Sequence, residues 1–149
     1  CVLDYGQTPR VTVVLDKATQ TRELIETSGA FALQLPTRAQ LALTVGVGTD
    51  SLHTMPDKLM RHGVQLFEAP VGDVPLVAGC VGWLACRLRP EPHNQQAYDL
   101  FIGDVVGAWA NEQVFRTGRW QFDAAPDELR TIHHVAGGQF FVTGAAVQA

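Results

Sequence analysis

The stretch Arg10-Val11-Thr12-Val13-Val14-Leu15-Asp16-Lys17-Ala18-Thr19-Gln20-Thr21-Arg22-Glu23-Leu24-Ile25 joins two periodicities. Residues 10–15 are a β-branched run of the kind that forms a buried strand. Beyond the polar join, Leu24 and Ile25 fit an amphipathic helix over about residues 19–28, with Ser28-Gly29 as its stop signal. A strand that runs straight into a helix leaves the first N–H groups of the helix without partners. Those groups and the positive end of the helix dipole favour an anion. Lys17 adds a full positive charge, and the hydroxyls of Thr19 and Thr21 add neutral donors. Lys17, Thr19 and Thr21, with the backbone of this polar join, therefore read as a phosphate cradle built without a glycine-rich loop. The competing reading is that Thr19 or Thr21 is simply a helix N-cap.

Outward from this junction the pattern turns mainly to β. Phe31-Ala32-Leu33-Gln34-Leu35 is a strand ended by Pro36, and Thr37 can cap a second helix over 38–46 carrying Leu41 and Leu43. Residues 46–51 read as a loop, Met55 to Arg61 as a short helix with Pro56 in its first turn, and Gly63 as its end. The Gly46–Gly48 loop lacks the Lys-Ser/Thr that completes a P-loop and follows a helix, not a strand. Strands are expected at 64–68, 74–77 and 80–89. In the last of these Cys80, Gly82, Leu84, Cys86 and Leu88 share one side, and Val81, Trp83, Ala85, Arg87 and Arg89 the other. Pro90, Pro92 and Asn94 read as a loop before a long strand from Asp99 to about Ala110. A short strand at Val114-Phe115 and a turn at Gly118-Arg119-Trp120 come next. A polar loop over 123–128 has Pro126 near a helix start, and a last β segment runs over Thr131 to Phe141. Cys1 to Tyr5 read as the end of a strand. Because the chain opens on Cys1 in mid-strand, we expect the natural protein to extend upstream.

Composition narrows the functional classes. The 149 residues suit one domain with a proper core, and 46% hydrophobic against 17% charged residues describes a folded chain. The net charge of −4 and the presence of only two lysines, Lys17 and Lys58, argue against a nucleic-acid surface. No apolar run approaches the roughly 20 residues that span a bilayer, and the opening residues do not read as a signal peptide. The cysteines, Cys1, Cys80 and Cys86, have neither CxxC nor metal-site spacing, which fits a reducing cytoplasm. Cys86 reads as a small buried hydrophobe. His133 and His134 point to opposite sides of a strand, so they cannot share one metal, and no metal site is expected. There is no nucleophile–base–orienter set and no paired carboxylates, so no catalytic residue is assigned.

Residues 9–36, PRVTVVLDKATQTRELIETSGAFALQLP, resemble the flavin reductase-like, flavoredoxin-containing family of FMN-binding split barrels. In that family a strand leads into a Ser/Lys/Thr-rich turn, then a T-x-E-L-I-x-x-S-G helix, then a strand beginning with Phe. Asp57-Lys58-Leu59 resembles the family's D-K-F segment, Trp83-Leu84-Ala85-Cys86-Arg87 its W-L-E-C-R strand, and Leu100-Phe101-Ile102-Gly103-Asp104-Val105 its L-F-I-G-E-V strand. His133-His134-Val135-Ala136-Gly137-Gly138-Gln139-Phe140-Phe141 is similar to its tail, in which a histidine- or tyrosine-containing strand meets Gly-Gly and a paired aromatic, so a histidine here reads as a surface or a flavin-side residue. Tyr98 stands where many relatives carry a histidine, with His93 nearby in the expected loop. The resemblance implies a mainly β fold with helices (α+β), an antiparallel split β-barrel with Greek-key topology, usually a homodimer. It implies that the turn at Asp16, Lys17, Ala18, Thr19 and Thr21 holds the phosphate of FMN, with FAD as the alternative. It further implies an NAD(P)H-dependent flavin reductase passing electrons to a monooxygenase or another acceptor. A family segment that contacts the flavin ring would lie before Cys1. The alternative reading is a non-catalytic FMN-binding electron carrier or a structural split-barrel protein.

Overall fold

A computed structural model of the chain describes the backbone of residues 2–4 and the whole of residues 6–147. Its centre is a five-stranded sheet in the order β1-β2-β7-β6-β3, antiparallel throughout. The strands are β1 (Val2–Asp4), β2 (Arg10–Val14), β3 (Ala30–Leu35), β6 (Gly82–Arg89) and β7 (Leu100–Ala110). Between β3 and β6 lie two short strands that pair with each other, β4 (Leu66–Glu68) and β5 (Pro75–Val77). Two hairpins come after β7: β8 (Phe115–Arg116) with β9 (Arg119–Trp120), and β10 (Ile132–Ala136) with β11 (Gln139–Val142). The helices are α1 (Gln20–Ser28), α2 (Leu41–Thr49), α3 (Lys58–Arg61) and α4 (Pro92–Tyr98). The sheet curls into a half-barrel of the expected antiparallel split-barrel type. Its topology is non-local: the β6–β7 pair inserts between β2 and β3, which are joined in sequence by α1.

The alternation read from β6 holds. Cys86, with Leu84 and Leu88 beside it, packs with Val11, Ile25, Phe31 and Phe101 on one face, and Ala85 with Trp83 packs with Val74 and Leu76 on the other. Cys86 is fully buried, and burial pushes its thiol up to about 11, so it packs as a small apolar side chain. The register slips by one residue opposite the Ala85–Cys86 step: Ala85 faces Gly107 and Cys86 faces Val105. The extra residue, Val106, is a bulge that lets the long β7 bend with the curl. Gly103 is fixed by packing. A Cβ there would lie 2.4 Å from Cζ of Phe31 and 3.0 Å from Cβ of Cys86.

Several expected boundaries move. Residues 46–49 are not loop but the last turn of α2, which is preceded by a 3₁₀ turn at Arg38–Gln40 in place of a helix beginning at 38. Gly46 is there for close approach, because a Cβ on it would lie 2.3 Å from Nδ1 of His62. Only Lys58–Arg61 of the expected 55–61 segment is helical, so Pro56 lies in the preceding turn; Gly63 ends the segment with φ +66. The Pro90–Asn94 loop is short, because Pro92 starts α4. Proline's missing N–H costs nothing in a first helical turn, and Asp99 ends the helix in the left-handed region at φ 54. His93 is thus helical and sets its ring edge-on to Tyr98, 5.7 Å between centroids. Strand 64–68 shortens to Leu66–Glu68, 74–77 to Pro75–Val77, and 80–89 to Gly82–Arg89. The 123–128 loop contains 3₁₀ turns at Phe122–Ala124 and Asp127–Leu129. The 131–141 segment folds into a hairpin at Gly137-Gly138, both with positive φ. Of the expected first strand, Val2–Asp4 pairs with β2, while Cys1 and Tyr5 lie outside the described residues.

Phe31→Ala should cost about 3–5 kcal/mol and Gly103→Ala about 1–3 kcal/mol, read as shifts in urea midpoint at constant m. Asp104 supplies a pH test. Burial raises its pKa, but Arg89 at 2.9 Å and Arg10 at 3.1 Å outweigh it and hold the carboxyl below its usual range. The native state therefore gains from this carboxylate above its unfolded pKa, and the gain vanishes as the pH falls through the lower folded value. Asp104→Asn should lower stability at neutral pH and flatten the acid limb of the stability curve, which denaturation from pH 2 to 7 measures.

Candidate functional site

The junction at the head of α1 is held by its own backbone. Asp16 accepts the N–H of Ala18 on its carboxylate at 2.7 Å, and its carbonyl accepts the Thr19 hydroxyl at 2.8 Å and the Thr19 N–H at 3.1 Å. Thr19 is the N-cap residue, yet its side chain makes no capping bond to the helix. The N–H groups of Gln20 and Thr21, first in the helix, have no partner among the described residues. Together Ala18, Thr19, Gln20 and Thr21 form one wall of a cleft of about 330 Å³. The opposite wall is the end of α2 and the turn beyond it, Val47 to Leu52, with Lys58.

Lys58 is the cation of this cleft. Its ammonium donates to the carbonyls of Val47 at 2.9 Å and Asp50 at 2.8 Å. These are carbonyls at the end of α2, where the helix dipole favours a positive charge. An ammonium has three N–H donors, so one remains for a ligand. Lys17, the cation expected here, is directed elsewhere. Its Nζ donates to the Gln96 carbonyl at 3.0 Å and lies 3.8 Å from Asp99. Thus Ala18, Thr19 and Thr21 line the cleft, Asp16 shapes the turn behind it, and Lys17 helps to cap the C-terminus of α4.

Arg22 fixes the angle of the whole arrangement. Its guanidinium donates to Asp99 Oδ1 at 2.5 Å, to the carbonyls of Gln95 at 2.9 Å and Leu15 at 3.3 Å, and to Glu26 Oε1 at 2.9 Å. It also lies 5.1 Å from the ring centroid of Phe101. The hydrogen bond to Asp99 raises its pKa despite the opposing pull of burial. In the sequence Arg22 occupies the variable position of a T-x-E-L-I helix, so nothing local marks it. The sequence signal for Lys58 was its place after Asp57 in the D-K segment, although position alone does not tie it to Thr21.

A second cleft of about 400 Å³ shares Gly48 and Thr49 with the first. Its other wall is the β10–β11 hairpin, where His134 and Phe140 lie with ring centroids 4.8 Å apart. His133 faces Phe141 across the hairpin, so of the two histidines His134 lines this cleft. A further apolar cavity of about 430 Å³ lies under α1 between Val13, Leu24, Phe31 and Pro75, and shares Thr21 with the first cleft.

The model of the flavin reductase like domain matches residues 6–126. The chain belongs to this family. It is 43% identical over 142 residues to an uncharacterized protein, YddH, of Escherichia coli K12, covering 95% of this chain and 74% of that protein. It is 55% identical to the FMN-binding domain of a flavin reductases-like enzyme from Shewanella baltica, with a TM-score of 0.96 over 100% of this chain and 78% of that one. Flavoredoxin of Desulfovibrio vulgaris shares the fold, with a TM-score of 0.77 at 22% identity over 95% of this chain and 73% of that one. The family match ends before the β10–β11 hairpin, whereas the likeness to the Shewanella structure includes it. No helix among the described residues is long and apolar enough to cross a membrane.

Removing Arg22 leaves Asp99 half-buried without its main partner. Arg22→Ala should therefore lower the melting temperature more than Glu26→Ala does. A double-mutant cycle of Arg22→Ala with Asp99→Ala should show strong positive coupling, measured by thermal denaturation.

Proposed function

We propose that this chain is a flavoprotein that binds FMN with the phosphate in the α1–α2 cleft and passes electrons from NAD(P)H to an acceptor. The donor set carries the reading: the N–H groups of Gln20 and Thr21, the hydroxyl of Thr21, and the spare N–H of Lys58. All are donors, which is what a phosphate dianion requires. The likeness to a Shewanella protein described as FMN-binding supports the same ligand.

The second cleft suits the flat ring. Phe140 and His134 give it an aromatic wall, and a ligand reaching it from the phosphate passes Gly48, where a Cβ would have nothing within 4 Å. Bound flavin would supply the hydride and electron transfer. This chain's residues would then bind and orient: Lys58 and α1 fix one end, and Phe140 shields the other from water. The absence of a nucleophile–base pair from the sequence agrees with that division. Electron acceptors of the monooxygenase type and NADH or NADPH as donor belong to the same proposal.

We propose that the working form is a homodimer. Leu24, 53% exposed, lines the apolar cavity under α1, whose other walls include Val13, Phe31 and Pro75, so an open apolar surface is left for a second copy to cover. Light scattering on the full-length protein checks the mass.

FMN fluorescence quenching tests the cleft. Lys58→Ala should weaken FMN binding about 10–100-fold, the loss of a charge-assisted hydrogen bond, and Thr21→Ala by a smaller factor. Lys17→Ala should leave affinity within about twofold, because its ammonium is engaged with α4. Equal losses for Lys17→Ala and Lys58→Ala would reverse the assignment of the cation. Bleaching of the bound flavin by anaerobic NADH or NADPH separates a reductase from a passive carrier.

A further inference from the structure

We infer that His62 is a positioning residue for the phosphate cleft, and that its proton is coupled to phosphate binding. The inference rests on the proposed FMN reading of that cleft. Asp50 lines the cleft, and a carboxylate there opposes an incoming phosphate. His62 meets it from behind: Nε2 lies 2.6 Å from Asp50 Oδ2. The same imidazole rests on the bare backbone of α2, where a Cβ on Gly46 would stand 2.3 Å from its Nδ1. A side chain larger than glycine at 46 would displace the ring. The Asp50 N–H donates to the Gly46 carbonyl at 3.0 Å and the Asp50 carbonyl accepts from Lys58 at 2.8 Å. One short segment therefore ties His62, Asp50 and the cleft cation together.

With His62 protonated, the His62–Asp50 pair is neutral and Lys58 alone sets the sign of the cleft wall. With His62 neutral, the Asp50 carboxylate cancels Lys58, and the wall loses its attraction for a dianion. The other charged groups on the neighbouring segments are Arg61 on α3, which is engaged by Asp57 at 2.7 Å, and His53 with Glu23, 3.6 Å apart. Arg61 also feels Asp50 through space. None of these is altered by substituting His62.

The test is the FMN dissociation constant of the full chain from pH 5.5 to 8.5 for wild type, His62→Gln and Asp50→Asn, with riboflavin as the ligand that lacks a phosphate. The phosphate's own second ionisation, near pH 6, contributes alike to all three proteins, so it cancels in the ratio to His62→Gln. The wild-type preference for FMN over riboflavin should fall about tenfold relative to His62→Gln as the pH rises. Asp50→Asn should bind FMN at least as tightly as wild type at every pH, because the opposing carboxylate is gone. His62→Ala should bind FMN about tenfold more weakly than wild type at pH 6, and adding Asp50→Asn to it should restore affinity. A folded His62→Ala protein, checked by circular dichroism, with unchanged affinity overturns the inference. So does an identical pH profile in wild type and His62→Gln, while the assignment of the cleft survives both results. Failure of the wild type to bind FMN at any pH overturns the cleft assignment itself and the inference with it.

Discussion

A buried cation organises this molecule. Arg22 is 7% exposed, and a guanidinium in that position is tolerated only when its donors are met. Four oxygens meet them, from the end of β2, from α1 itself, from α4 and from Asp99 at the head of β7. The charge thus holds two distant stretches of chain together, residues 15–26 and residues 95–99. That convergence points the start of α1 outward, beside the end of α2. If Arg22 were a leucine, α1 could pack on Phe101 by hydrophobic contact alone, but nothing would specify its rotation.

The legible and illegible parts of the sequence divide along a physical line. Strands whose two faces see different surroundings write that difference into alternate residues, so β6 could be read with its correct faces. The strand-to-helix junction was also legible, because polar residues cannot be buried in the middle of a β-branched run. Features that depend on what comes back from far along the chain were not. Gly46 reads as a loop residue until His62 is known to lie on it, and Lys17 and Lys58 are indistinguishable until α4 and the end of α2 are placed. Local composition offers two lysines and one cradle, and the tertiary fold decides which lysine faces it. Pro92 misled for a similar reason, since the same residue that breaks a helix in its middle begins one at its first turn.

The cleft takes almost nothing from the sheet. Its walls are helix ends and the turns beside them, so its chemistry is largely that of backbone groups, with Lys58, Asp50 and the Thr21 hydroxyl added. Backbone donors are insensitive to side-chain substitution, which is why such a site can be built without a recognisable glycine-rich motif. The sheet instead supplies rigidity, through the closely packed Phe31–Gly103–Cys86 layer beneath α1.

The β10–β11 hairpin is attached differently. It pairs with no strand of the central sheet, and the bonds that anchor its base run from residues 36–38 to residues 130–132, beside the Thr37–Thr131 bridge. A wall fastened mainly at one end can swing away without breaking the sheet ladders, so its opening free energy lies well below that of global unfolding. The second cleft is therefore walled on one side by a separately fastened hairpin and on the other by α2. In the proposed binding mode, release of the ring would depend on the hairpin contacts and retention of the phosphate on the charge of the α1–α2 cleft, so substitutions in the two places would act on different steps.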